Sequence, residues 1–311
     1  MRLFIQACSA AVCNGYLRGF AKGRIYEGTA KYVCVPGMNC YSCPGALGSC
    51  PIGSLQATLT SREYQMAFYV IGILTVFGTL FGRLICGFLC PFGLIQDLLF
   101  KIPFIRQLQQ LPGEKVLRMV RYIILAVFVI LLPMLVSDIT GIGKPWFCKY
   151  ICPVGTLEGG IPLVLLNKEL RSAIGFLYTW KIGILTVTLL VSVILYRPFC
   201  RYICPLGAIY GLFNKFSFYH YQVDKDKCTG CGICQKTCKL GIAVWKKPNS
   251  IDCIRCGECH LACPRGALTV SPVLYRKKTA ESACETCAAD SSSHTEISET
   301  PAVHKKTEIQ K

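Results

Sequence analysis

The sequence predicts a membrane all-α domain of about four transmembrane helices, then a small α+β module rich in cysteine, then a disordered tail. Three observations carry that prediction. Charged residues make up 16% of the 311-residue chain and apolar residues 52%, against roughly 25% charged in ordinary soluble domains. Several segments approach the roughly 20 apolar residues that a bilayer crossing needs. The 22 cysteines fall in ordered runs. The net charge of +17 reads as Lys and Arg flanking membrane spans. No basic stripe with interleaved aromatics is present, so nucleic-acid binding is not expected. A disulfide-rich secreted chain would be small and would carry a cleavable leader. The opening residues Met1 to Ile5 enter an uncharged stretch with no clear cleavage site, expected to be retained.

The transmembrane domain is expected over residues 1–215, with spans at about 3–20, 65–82, 119–137 and 172–196. The first is interrupted by Gln6, Ser9 and Asn14, so an interfacial helix is its alternative. Pro133 is a tolerable kink in the third. Lys181 beside Trp180 in the fourth reads as an interfacial snorkel, with contact to a quinone or cofactor as the functional alternative. The basic links 83–121 and 197–227 should face the cytoplasm by the positive-inside rule. The mixed link 138–171 should lie outside. That places the chain in the cell inner (cytoplasmic) membrane as a multi-pass protein, with both termini and the cysteine-rich module inside. The sidedness of the basic first link, 18–62, is left open.

Residues 216–275 carry the strongest signal. Cys228-x2-Cys231-x2-Cys234-x3-Cys238 is followed by Cys253-x2-Cys256-x2-Cys259-x3-Cys263-Pro264. This is the bacterial two-[4Fe-4S] ferredoxin spacing, in which each fourth cysteine ligates the other run's cluster. Cys228, Cys231, Cys234 and Cys263 should hold one cluster, and Cys253, Cys256, Cys259 and Cys238 the other. Zinc is the weaker alternative, because it uses pairs of ligand pairs rather than two runs of four. Lys239 stands where the first run would ordinarily carry a proline. His260 sits inside the second run, where a solvated surface role is favoured over tuning of the cluster. His220 at the module's entrance is expected to be structural. Residues 276–311 are rich in Ser, Thr, Glu and Lys and should be disordered; Cys284 and Cys287 there read as free thiols, with a metal or partner site as the alternative.

An eight-residue unit recurs at the ends of the strong spans. Cys86-Gly87-Phe88-Leu89-Cys90-Pro91-Phe92-Gly93 returns as Cys148-Lys149-Tyr150-Ile151-Cys152-Pro153-Val154-Gly155 and as Cys200-Arg201-Tyr202-Ile203-Cys204-Pro205-Leu206-Gly207. Divergent relatives lie upstream at Cys40, Cys43 and Cys50. Cysteines four apart on a helical turn share a face, and the proline should end or redirect that helix. Matched copies argue against mere packing; a dithiol pair is one alternative. The charge pattern groups Cys86, Cys90, Cys200 and Cys204 on one side as a third cluster site. Four of Cys40, Cys43, Cys50, Cys148 and Cys152 could form a fourth on the other side.

Spans ending in Cys-x3-Cys-Pro, followed by two ferredoxin runs, resemble the NapH-like membrane polyferredoxins and the C-terminal half of NosR-type proteins. The resemblance covers about residues 1–275. It implies passage of single electrons between a cytoplasmic or quinone-linked donor and a partner redox enzyme. The chain reads as an electron carrier or a subunit of an oxidoreductase complex more readily than as an enzyme with its own substrate. A redox-sensing regulator or maturation factor, and a thiol–disulfide exchanger using the Cys-x3-Cys-Pro pairs, are the competing readings. No Rossmann glycine fingerprint, covalent-haem motif or P-loop occurs.

Overall fold

A computed structural model describes residues 2–61, 64–102, 107–136, 143–172 and 174–271. Cys284, Cys287 and the expected tail lie outside these. Residues 1–274 pack as one compact unit. The helical part and the cysteine-rich module, expected as separate domains, therefore share contacts.

Three long helices run through the helical part: Tyr64–Phe81, Glu114–Leu135 and Phe176–Ile194. Among the described residues the second, of 22 residues, and the third, of 19, are long and apolar enough to cross a membrane. Their apolar side chains face outward. Met119, Ile123 and Leu131 on one helix, and Val187 and Leu190 on the other, are exposed. A soluble core helix would bury such a surface. The Glu114–Leu135 helix starts five residues ahead of the expected span at 119. Its segment Leu125–Leu131 is wound as a π-helix, just before Pro133.

The first expected span, 3–20, is not one helix. Arg2–Cys13 has 12 residues and Leu17–Lys22 has six. The Asn14 side chain donates back to the Ala10 carbonyl (3.2 Å), and the Tyr16 amide bonds Gly45 instead of continuing the helix. Twelve residues rise about 18 Å, short of a hydrocarbon core of about 30 Å. The Arg2–Cys13 helix instead packs beside the Cys86–Cys90 repeat, where Ser9 donates to the Leu89 carbonyl at 3.0 Å.

The cysteine-rich module contributes an antiparallel pair, β1 (His220–Val223) and β2 (Leu268–Ser271). His220 stands opposite Ser271 and Val223 opposite Leu268. Between the strands lie two short helices, Ile233–Thr237 and Glu258–Leu261. Strand pairing closes a loop that carries all eight clustered cysteines.

Candidate iron–sulfur sites

The eight-residue repeat has one local geometry. Its first cysteine lies in a short helical turn: Leu84–Phe88, Phe147–Ile151 or Pro198–Tyr202. Its second cysteine is extended, with φ/ψ of −82/116° at Cys90, −66/111° at Cys152 and −64/114° at Cys204. The proline then opens the next helix. The proline thus redirects the chain as expected: it holds the preceding cysteine extended and is itself pre-set for the first helical position of the next helix. The second cysteine thus caps a helix N-terminus. The Gly207 amide donates to Cys204 Sγ at 3.3 Å. An amide and a positive helix end both favour a thiolate. Glycine is needed at that position, since a Cβ on Gly207 would lie 3.1 Å from the Cys200 carbonyl and one on Gly93 3.2 Å from that of Cys86.

Two such turns meet. Burial first, then neighbouring Cys200, Cys86 and Cys90, push the Cys204 thiol well above its ordinary value. Burial, Cys200 and Cys86 do the same to Cys90. All four are buried. Gln96 Nε2 donates to Cys200 Sγ at 3.2 Å. This near helical site is the four-thiol group expected from the repeat.

A far helical site forms around the third copy. Burial, then Cys152, Cys50 and Cys40, raise Cys148. Burial, Cys152, Glu158 and Cys50 push Cys40 up to about 12. Of the five upstream and third-copy candidates, Cys43 stands apart, with its thiol 3.5 Å from Asn14 Oδ1. Lys181 Nζ donates to the Cys148 carbonyl at 3.2 Å. It thus lies in the wall of this site, as the cofactor-contact alternative to the snorkel would have it. Glu158, which the sequence did not single out, is half-buried and accepts the Cys40 amide at 2.7 Å. A cavity of about 600 Å³ contains these four cysteines, with Lys31, Met38 and Lys181 in its wall.

The ferredoxin cysteines separate into two groups. Cys228, Cys231, Cys234 and Cys263 line one cavity of about 120 Å³, the outer site. Burial, Cys253, Cys256 and Cys238 push Cys259 up to about 12, the inner site. Each run's fourth cysteine thus lies with the other run. Lys239, in the missing-proline position, pairs with Glu258 at 2.9 Å. His260 is exposed, and His220 Nδ1 lies 3.0 Å from the Phe218 carbonyl, away from the thiols.

Among the described residues, no three His, Cys, Asp or Glu side chains close on a point where one bare ion would sit. Thiols gripping a cube of four irons stand farther apart than the ligands of a single ion. Two runs of four cysteines suit a pair of clusters better than tetrahedral zinc, which takes pairs of ligand pairs. Unpaired donors point the same way. Trp245 Nε1, in the outer-site wall, is buried without a hydrogen-bond partner among the described residues, and so is the Tyr221 hydroxyl. A cluster's sulfide and thiolate sulfurs accept such hydrogen bonds.

The sites adjoin one another. The inner-site loop 250–255 is clamped to the near helical site by arginines. Arg83 donates to the carbonyls of Ile251 (3.1 Å) and Cys200 (3.0 Å). Arg255 donates to those of Phe81 (3.0 Å) and Asn214 (2.8 Å). Arg197 binds Asp97 and the Cys86 carbonyl. A Cβ on Gly87 would reach 2.6 Å from the Ile254 carbonyl, so backbones touch there. Met38 links the two helical sites: its sulfur is 3.6 Å from Cys204 Sγ, and it lines the far-site cavity. Sequence reading took Arg83, Arg197 and Arg201 as charge that flanks the spans on the cytoplasmic side. All three are buried, at 1–2% exposure. The signal for this was the scarcity of acids: Asp97 pairs with Arg197, Asp252 with Arg83 and Glu114 with Arg201.

A family model described as a 4Fe-4S binding domain matches residues 65–112, 120–163 and 176–218, one repeat copy in each. A second model of that description matches 221–242 and 248–269. No solved structure matches. The uncharacterized protein MJ0749 of Methanocaldococcus jannaschii is 28% identical over 61% of this chain and 65% of its own length. The putative electron transport protein YccM of Escherichia coli is 26% identical over 64% of this chain and 52% of its own. The ferredoxin-type protein NapH of Escherichia coli is 27% identical over 71% and 74% respectively. The match thus spans less than two thirds of the length of MJ0749 and of YccM. The repeated 4Fe-4S binding domains and these relatives support a NapH-like polyferredoxin family for this chain, with [4Fe-4S] clusters as its cofactors.

Proposed function

We propose that this protein is a multi-pass inner-membrane electron wire with four cluster sites in series: outer, inner, near helical and far helical. The observation that carries the reading is the unbroken contact from Cys259 through loop 250–255 to Cys86 and Cys200, and through Met38 to the far cavity. Clusters supply one-electron chemistry without moving a proton or breaking a bond. The chain's residues do the rest. Sixteen cysteines hold the clusters: Cys228, Cys231, Cys234 and Cys263; Cys238, Cys253, Cys256 and Cys259; Cys86, Cys90, Cys200 and Cys204; Cys40, Cys50, Cys148 and Cys152. Buried guanidiniums and helix N-termini offset the negative charge of the thiolates. Apolar walls keep water from the helical sites. The electron path runs from the cytoplasmic module into the membrane interior, where a quinone-linked or partner enzyme exchanges with the far site.

Thiol–disulfide exchange is disfavoured by burial. Cys86, Cys90, Cys200 and Cys204 are 3–6% exposed, and exchange needs an accessible thiolate. The test is reduction of detergent-purified full-length protein under strict anaerobiosis, followed by electron paramagnetic resonance. Clusters this close broaden one another's signals, and the protein should require detergent for extraction. Sharp, isolated signals from a protein found in the aqueous fraction would overturn the reading.

A further inference from the structure

The outer site is the most open of the four. Cys231 is exposed, and Cys228 and Cys263 are half-buried; the helical sites lie deep, and the inner site is docked on helices. The surface around the outer site is basic. Lys225, Lys227, Lys236, Lys246, Lys247 and Arg265 are all exposed. Lys227 and Arg265 line the outer cavity itself, and Lys246 lies over the ring of Trp245, another wall residue, 4.7 Å from its centroid. The local acids do not balance them. Asp224 is taken by Lys227 at 3.4 Å, leaving Asp226 exposed. Two exposed apolar residues stand on helices that pack together: Ile233, in the outer-site wall, at 40% exposure and Leu261 at 85%.

An apolar centre inside a single-signed charged rim suits brief, steered encounters. We propose that this face docks an acidic, soluble one-electron carrier protein, with Ile233 and Leu261 at the contact centre. The proposal rests on the cluster assignment at Cys228, Cys231, Cys234 and Cys263. One electron crosses: the carrier's redox centre is oxidised by one and the outer cluster reduced by one, or the reverse. No bond forms and no proton moves. The occupant is a protein with negative charge because six cations around an open redox site complement it, whereas a neutral small carrier gains nothing from them.

The experiment uses the full chain in nanodiscs of zwitterionic lipid. Its outer cluster is first confirmed by electron paramagnetic resonance; absence of that signal would sink the cluster assignment, not the docking surface. Stopped-flow rates are then measured with a reduced acidic [2Fe-2S] ferredoxin as donor, and with cationic cytochrome c as acceptor from the reduced chain. The variant carries Lys225→Glu, Lys236→Glu and Lys247→Glu, none of which lines the cavity. The ferredoxin rate should fall about tenfold or more at low ionic strength, and the difference should vanish at high salt. The cytochrome rate should rise. Equal rates for both carriers at all salt concentrations, or equal slowing of both, would overturn the proposal. So would a wild-type ferredoxin rate suppressed by anionic lipid in the disc while the variant's is not, since the face would then lie on lipid headgroups. A Leu261→Ser variant with intact cluster signal should slow the reaction at high salt as well, where steering is screened.

Discussion

The two ferredoxin sites and the two helical sites hold their thiols by opposite means. In the ferredoxin module each site takes three cysteines from one short run and one from the other. Backbone turns aim them, and the strand pair β1–β2 closes the loop. In the helical part each site joins segments far apart in sequence, Cys86 with Cys200 and Cys40 with Cys148. Tertiary packing alone brings these together. The outer site is open, while the near helical site is enclosed by buried ion pairs such as Arg197 with Asp97. The locally built outer site is left open; the near helical site, assembled over distance, is buried among ion pairs.

That contrast predicts different failures. Replacing Cys86 and Cys200 together with Ser should have the largest effect on cofactor content. About four irons per chain should be lost, while the ferredoxin signals persist; iron analysis with electron paramagnetic resonance checks both. Arg197→Leu should strike the helical part alone. It leaves Asp97 buried with only Arg2 nearby at 3.1 Å, at a cost of about 3–5 kcal/mol, read as a lower unfolding midpoint in detergent with the ferredoxin signals retained. Gly207→Ala should cost about 1–3 kcal/mol through its collision with the Cys200 carbonyl, a contact the ferredoxin runs lack. Cys43→Ser should change neither iron content nor signals, because its thiol stands outside the far site.

Acidity offers a further handle. In the apoprotein, burial pushes Cys152 up to about 12, opposed by the Gly155 amide and reinforced by Cys50. Burial likewise raises Cys40 to about 12. Unfolded thiols ionise near the ordinary value of 9.0. The folded apo state therefore keeps protons that the unfolded state releases. Its stability should be fully present below pH 9 and fall from about pH 9 to about pH 12. Loaded protein, whose thiols are already deprotonated, should not follow that fall. Denaturant titrations of both forms across this range would separate them.

Much of this was legible in the sequence. The ferredoxin cysteines announce themselves by spacing, because their site is made by local turns. The repeat at Cys86, Cys148 and Cys200 identified the helical sites, and flanking charge paired Cys86 with Cys200. Three things were hidden. An arginine reads the same in sequence whether it is solvated or buried, so Arg83 and Arg255 were not recognisable as clamps at loop 250–255, nor Arg197 as the buried partner of Asp97. Asn14 reads as an interruption of the stretch 3–20, but how the chain breaks there was hidden: its side chain bonds back to the Ala10 carbonyl and the Tyr16 amide turns to Gly45. Met38 and Glu158 carry no spacing signal; only the long-range approach of loop 34–50 to the repeats brings them to the thiols.

The most direct measurement is iron and acid-labile sulfide per chain in full-length protein purified in detergent without oxygen. Four filled sites predict about 16 of each. A value near about eight, with intact ferredoxin signals, would contradict the series of four and confine electron transfer to the C-terminal pair.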